Sequence, residues 1–77
     1  MSDRNSAASQ RARLLRALMR GPVDTQHASR KLDIIHPPRR VFELRKLGHR
    51  ITTSWVWRTT EAGERHRVGL YVLEGKV

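Results

Sequence analysis

The chain contains no cysteine. A disulfide framework, a thiolate metal site and cysteine-based catalysis are therefore excluded, and the composition is compatible with a reducing compartment. Aromatic residues are scarce, with two Trp, one Tyr and one Phe in 77 positions. A module that recognises RNA by stacking needs exposed aromatics, and with so few in the chain most are expected to be used inside. No apolar run approaches the ~18 residues that would suggest a membrane span. The opening segment MSDRNSAASQ has no apolar stretch, so no signal peptide is expected. Acids are also in short supply: seven Asp and Glu face sixteen Lys and Arg, for a formal net charge of +9. A field of that sign draws in polyanions. DNA, RNA and anionic lipid all satisfy it, whereas solubility alone is usually better served by added acids.

Nothing in the chain has the spacing of a catalytic or metal centre. His27, His36, His49 and His66 are widely scattered and have no cysteine partner, so no metal-ligand signature forms. Glu61 and Glu64 fall in a presumed loop without a partner base. Gly63 and Gly69 are isolated and make no phosphate-binding loop. No catalytic residue, metal ligand or cofactor is expected.

A chain of 77 residues makes one domain. Such a domain hides only ~60% of the surface its unfolded chain exposes, so its core is marginal. The charge is unevenly spread: net +4 over residues 1–20, +5 over residues 27–50 and +1 over residues 51–77. The positive charge therefore belongs to the presumed helices.

Residues 1–9 read as a flexible polar tail, with Ser6 or Ser9 as N-cap of a first helix that runs from about Ala7 or Gln10 to Arg20. Ala8, Leu14, Leu15, Leu18 and Met19 form its apolar stripe, and Gly21-Pro22 stops it. Asp24 and Thr25 are both suitable N-caps for a short second helix, Gln26 to Leu32, with Ala28 and Leu32 turned inward. Leu32-Asp33-Ile34 is the turn. Asp33 tolerates the left-handed conformation, and Ile34 plugs the core. Pro37 and Pro38 suit the first turn of a third helix that ends at Gly48. At ~100° per residue, Val41, Leu44 and Leu47 form its buried side, and Arg40 falls between the last two. Its stem is expected to be half-buried, with its guanidinium on Glu43 or Asp33. A strand from Ile51 to Arg58 follows, rich in β-branched and aromatic residues, with Ile51 and Trp55 expected in the core and Trp57 packing outside it against the opposite strand. A loop of roughly six residues leads to a return strand ending at Leu73. The inward face of that return strand is left open.

The run Thr25, Ala28, Leu32-Asp33-Ile34, then Arg40-Val41-Phe42-Glu43-Leu44-Arg45-Lys46-Leu47-Gly48-His49-Arg50-Ile51, with Trp55 and a later Tyr71-Val72-Leu73, resembles small winged helix-turn-helix domains of bacteriophage and prophage origin. Their pattern is similar to A-x-x-L-G-I, R-I-x-E-L-R-x-x-G-x-x-I and a hairpin ending Y-x-L. Asp33 in place of Gly and the Pro37-Pro38 pair depart from it. The resemblance implies an α+β fold over residues 10–73, three helices followed by a two-stranded β-hairpin wing, with 1–9 and 74–77 as tails. It also implies sequence-specific binding of double-stranded DNA in a regulatory or recombination (excision) role, in the cytoplasm of a bacterial host, without catalysis.

In such a domain the third helix enters the major groove with its N-terminal part nearest the bases. His36, Arg39 and Glu43 are the expected base-reading residues, with Arg39 foremost because Arg to guanine is the commonest specific contact. Glu43 could equally hold Arg39 or Arg40 in place. Thr25, Gln26, His27, Arg30, Arg45 and Lys46 are expected on the DNA backbone, and Arg58, Arg65, His66 and Arg67 on the wing. A domain this small would gain specificity as a homodimer or in tandem, although no dimer helix stands out. An RNA-binding module and a winged-helix protein-interaction module are the alternatives that the sequence leaves open.

Overall fold

The computed structural model describes residues 4–75. Helix α1 spans Ala7–Arg20, and Ser6 caps it by accepting a hydrogen bond from the Ser9 amide at 3.1 Å. Part of the segment expected to be a tail is thus the first turn of a helix. Residues 1–3, 76 and 77, the outer parts of both expected tails, lie outside the described residues. The apolar stripe of α1 is narrower than its sequence suggests. Gln10, Leu14 and Leu18 are buried and Leu15 is half-buried, but Ala8 is exposed and Met19 is 58% exposed. Gly21 leaves the helix in an extended conformation, and Pro22 prevents its continuation.

The chain then forms a two-residue strand, β1 (Val23–Asp24), too short to carry a strand pattern in the sequence. Helix α2 (Thr25–Arg30) is capped by the Asp24 carboxylate, and α3 covers Pro37–Lys46. Between them Asp33 takes a left-handed φ of 56°, the only positive φ at a non-glycine among the described residues. Ile34 is 1% exposed and donates its amide to the Ala28 carbonyl at 3.0 Å. Pro37 is buried at the first position of α3, where no N–H is missed. At the other end Gly48 has φ 104°. Its amide bonds to the Arg45 carbonyl at 3.0 Å and the His49 amide to that of Leu44 at 3.1 Å. That pair of bonds is the Schellman closure, and the left-handed residue it requires explains a glycine here. Leu47 does not join the core. It stands at the helix exit, 67% exposed, beside Leu15, Met19 and Leu73 in an open groove.

Strands β2 (Ile51–Thr59) and β3 (Arg65–Leu73) pair antiparallel, with Ile51 opposite Leu73 and Thr59 opposite Arg65. β1 pairs on the free side of β3, Val23 against Tyr71, so the sheet has three strands in the order β1-β3-β2 rather than two. The fold class therefore stands as α+β, with this third strand as a correction. The short strand covers one edge of β3 at the base of the hairpin and ties the entrance of α2 to the sheet.

Among the described residues, nine hydrophobics form the buried core: Leu14, Leu18, Val23, Ala28, Ile34, Val41, Leu44, Ile51 and Tyr71. Every element contributes at least one. The inward face of the return strand is the one carrying Gly69 and Tyr71. The helices cover this face only at the base of the hairpin. Ile51 is 6% exposed, but Trp55, four residues along on the same face, is 60% exposed. Trp55 is therefore not in the core as expected: it shares the face of Ile51, but the strand runs past the helices before Trp55 is reached.

Candidate nucleic-acid interface

Two polar side chains of α1 position the helix-turn-helix unit. Gln10, 3% exposed, donates to the Asn5 carbonyl at 2.7 Å and accepts the Ile35 amide at 3.1 Å, just before α3 begins. Arg13 spreads its guanidinium over three carbonyls: Leu32 at 2.7 Å, Asp33 at 2.9 Å and Arg4 at 2.7 Å. The turn lacks regular backbone pairing, and its polar groups need partners when partly buried. Gln10 and Arg13 supply them. In the sequence Arg13 looks like one of several solvated arginines around α1; its partners in the turn, Leu32 and Asp33, lie about twenty residues away and leave no periodic trace.

Glu43 is the hub of the next layer. Its carboxylate lies 2.9 Å from Arg11, 3.0 Å from Arg40 and 3.3 Å from Arg39. Arg40 is largely buried, as its angular position requires, and its Nη2 donates to Glu43 Oε2 at 3.1 Å. Its Nε has no hydrogen-bond partner, so its 3.0 Å approach to Glu43 is ionic only. The hydrogen bond from Arg11, with a second from Arg39 and the charges of Arg40 and Arg11, holds the Glu43 carboxyl below its ordinary pKa of 4.5 against the opposing effect of burial. An acid engaged in this way orients arginines, and little of it is left to accept from cytosine.

The direction of that shift fixes a pH dependence. A carboxylate depressed in the folded state contributes stability that is complete above its unfolded pKa and disappears as pH falls through the lower folded value. Thermal unfolding midpoints should hold steady from neutral pH down to about 5 and then decline, and Glu43→Gln should flatten that acid limb. Parallel acid limbs for the two proteins would contradict the role given to Glu43.

The outer side of α3 presents Arg39, Phe42 and Lys46. Arg39 is 64% exposed and Phe42 55%, and the Lys46 ammonium sits 5.4 Å from the Phe42 ring centroid. The exposed Phe42 thus adds an apolar ring to this cationic side. His36, at the N-cap, is exposed and makes no side-chain capping bond.

Several expected backbone contacts have other partners. Arg45 braces α3 to the wing, donating to the Ile51 carbonyl at 2.8 Å and to Thr53 Oγ1 at 2.9 Å. Arg30 lies 3.5 Å from Glu61 at the hairpin tip, and Arg58 lies 3.1 Å from Asp24. The His27 amide, which a phosphate at the start of α2 would use, is taken by Asp24 Oδ1 at 2.7 Å. The same carboxylate places a negative charge there. Thr25 and Gln26 are half-buried, and the His27 side chain is exposed.

On the wing, Arg65 and Arg67 share the face of Trp55 and Trp57, while His66 stands on the other face opposite Arg58. The first face borders an open cleft of ≈ 410 Å³ lined by Thr25, Pro38, Arg45, Thr53, Trp55 and Arg67 among others. The flank of α3 and the outer hairpin thus meet across one concave surface. Away from the hairpin tip that surface carries cations and aromatic rings, while Asp24, Asp33, Glu43 and Glu61 are each engaged with arginine elsewhere.

This arrangement combines a helix-turn-helix unit, an outward helix carrying cations and a hairpin beside it. Residues 9–76 match the family described as the winged helix-turn-helix domain. The chain belongs to that family. No significant match was found among curated proteins or solved structures. For a winged helix-turn-helix domain, α3 is the recognition helix and β2–β3 the wing, and membership points to DNA as partner. No helix among the described residues is long and apolar enough to cross a membrane.

Proposed function

We propose that this winged helix-turn-helix domain binds double-stranded DNA sequence-specifically, with α3 in the major groove and the wing along the neighbouring backbone or minor groove. The observation that carries the reading is that α3 and the wing beside it both present exposed cations, Arg39 and Lys46 on the helix and Arg65 and Arg67 on the hairpin. Arg39 reads guanine, steadied by Glu43, and Phe42 offers apolar contact to a thymine methyl. His36 and Lys46 flank them. Arg65 and Arg67 engage phosphates. Arg45, Arg30 and Arg58 mainly hold the scaffold, and Glu43 passes from the readers to the scaffold. The resemblance to phage and prophage domains supports a transcriptional regulator or excision factor, and binding as a homodimer or in tandem would lengthen the site.

Salt dependence of duplex binding tests this reading. If about six phosphates are neutralised, log K falls against log salt with a slope of roughly −5, and a preferred sequence stays bound at moderate salt. The rival reading, a protein-interaction module, draws on the apolar groove lined by Leu15, Met19, Leu47 and Leu73. It requires DNA binding that is sequence-independent and vanishes at moderate salt, and that result would sink the proposal.

A further inference from the structure

Trp55 and Trp57 are the only tryptophans of the chain, and the fold leaves them 60% and 55% exposed. Two residues apart on β2, they share one face of the hairpin. Arg67 and Arg65 project from β3 onto the same face, and each stacks one diagonal step back. The Arg67 guanidinium lies 5.2 Å from the Trp55 ring centroid and that of Arg65 5.0 Å from Trp57. The indoles are therefore ordered by their cations yet remain open to solvent. Arg58, which reaches the carboxylate of Asp24, stands on the opposite face.

Flat rings interleaved with fixed positive charges meet the two requirements of a single strand: bases stack on the rings while the backbone follows the cations. A duplex cannot use the rings in this way, because its bases are already stacked on one another. The scarcity of aromatics argued against such a role only if most were buried. Among the four aromatics, Phe42, Trp55 and Trp57 are exposed and Tyr71 alone is in the core. The cleft that joins this face to α3 runs past Pro38 and Arg45 to Trp55, so a strand leaving a duplex on α3 has a direct path to the first indole.

We propose that the wing face of Trp55, Trp57, Arg65 and Arg67 binds the unpaired bases of a single strand beside the duplex-reading helix. The chemistry of this site is independent of duplex reading, and only its setting rests on it. The full chain is titrated with a thymidine oligomer of about ten nucleotides, with an abasic strand of equal length, with the matching uridine oligomer and with a closed duplex. Tryptophan emission, excited where Tyr71 does not absorb, reports on this face alone. The thymidine oligomer should quench it saturably, and the abasic strand, with the same phosphates, should bind at least about 10-fold more weakly without quenching. Trp55→Leu or Trp57→Leu, at exposed positions, should lower affinity for a labelled thymidine strand about 5- to 150-fold, a larger factor than any loss on a closed duplex, and leave thermal unfolding nearly unchanged. Equal binding of thymidine and uridine oligomers assigns the site to any single strand, and a thymidine preference assigns it to DNA. Equal affinity for abasic and base-bearing strands overturns the proposal, as does wild-type single-strand affinity in both Trp variants. Absence of quenching by either oligomer also overturns it and leaves the face to a protein partner. Duplex binding without single-strand binding refutes this inference alone. Single-strand quenching without duplex binding refutes the proposed function alone.

Discussion

Replacing Arg39 with Ala is expected to weaken the preferred duplex by about 5- to 150-fold, equivalent to the ~1–3 kcal/mol of one bidentate base contact, and to relax sequence preference at a single base pair. The side chain combines the features this needs. It lies in the first turn of α3, is 64% exposed, and is tethered 3.3 Å from Glu43 one turn on. The tether reduces the rotamer freedom that Arg would otherwise lose on binding, while enough of the guanidinium stays free to donate. Arg65, out on the wing and stacked on Trp57, is expected to act differently: Arg65→Ala should weaken all duplexes by a similar factor, as loss of a backbone contact does. Binding isotherms on the preferred and a scrambled duplex, for both variants, separate the two roles. Equal losses on both duplexes for Arg39→Ala would remove it as a reader.

The second large effect concerns the fold. Ile34→Ala should cost ~2–5 kcal/mol, toward the upper part of that range, measured by urea denaturation. Ile34 is 1% exposed and sits where the turn passes from α2 to α3. The cost of a large-to-small change depends on how far the surroundings collapse into the space. Here collapse is opposed: Gln10 holds the Ile35 amide, and Arg13 holds the carbonyls of Leu32 and Asp33. A domain of this size has on the order of 5–15 kcal/mol in all, so the variant should be partly unfolded at physiological temperature, with DNA binding reduced in proportion. A loss under about 1 kcal/mol would mean that the turn is held by its polar clamps and not by the core.

The parts of this molecule legible in its sequence were those fixed by local chemistry. Asp33 in the left-handed region, Pro37 at the start of α3, Gly48 at its end and the half-buried Arg40 on Glu43 all follow from φ preferences and helical angle. The parts that escaped depend on partners far along the chain. β1 exists because Val23 meets Tyr71, and two residues carry no strand pattern of their own. Arg13 and Arg11 look solvated until α1 is set against the turn and against Glu43. Trp55 shows the limit of periodicity. Alternation says which face a residue shares but not where the covering helices stop. Phe42 is a related case: no local feature of the sequence says that its ring stays exposed on the outward side of α3.

The central claim is that α3 and the wing read duplex sequence, and the most direct measurement is selection of bound duplexes from a random pool at physiological salt. Enrichment of a short motif containing a guanine is expected, with that preference lost when the selection is repeated with Arg39→Ala, and a repeat of the motif at one helical turn if two copies bind together. A pool that remains random, with retention dependent only on ionic strength, would contradict it.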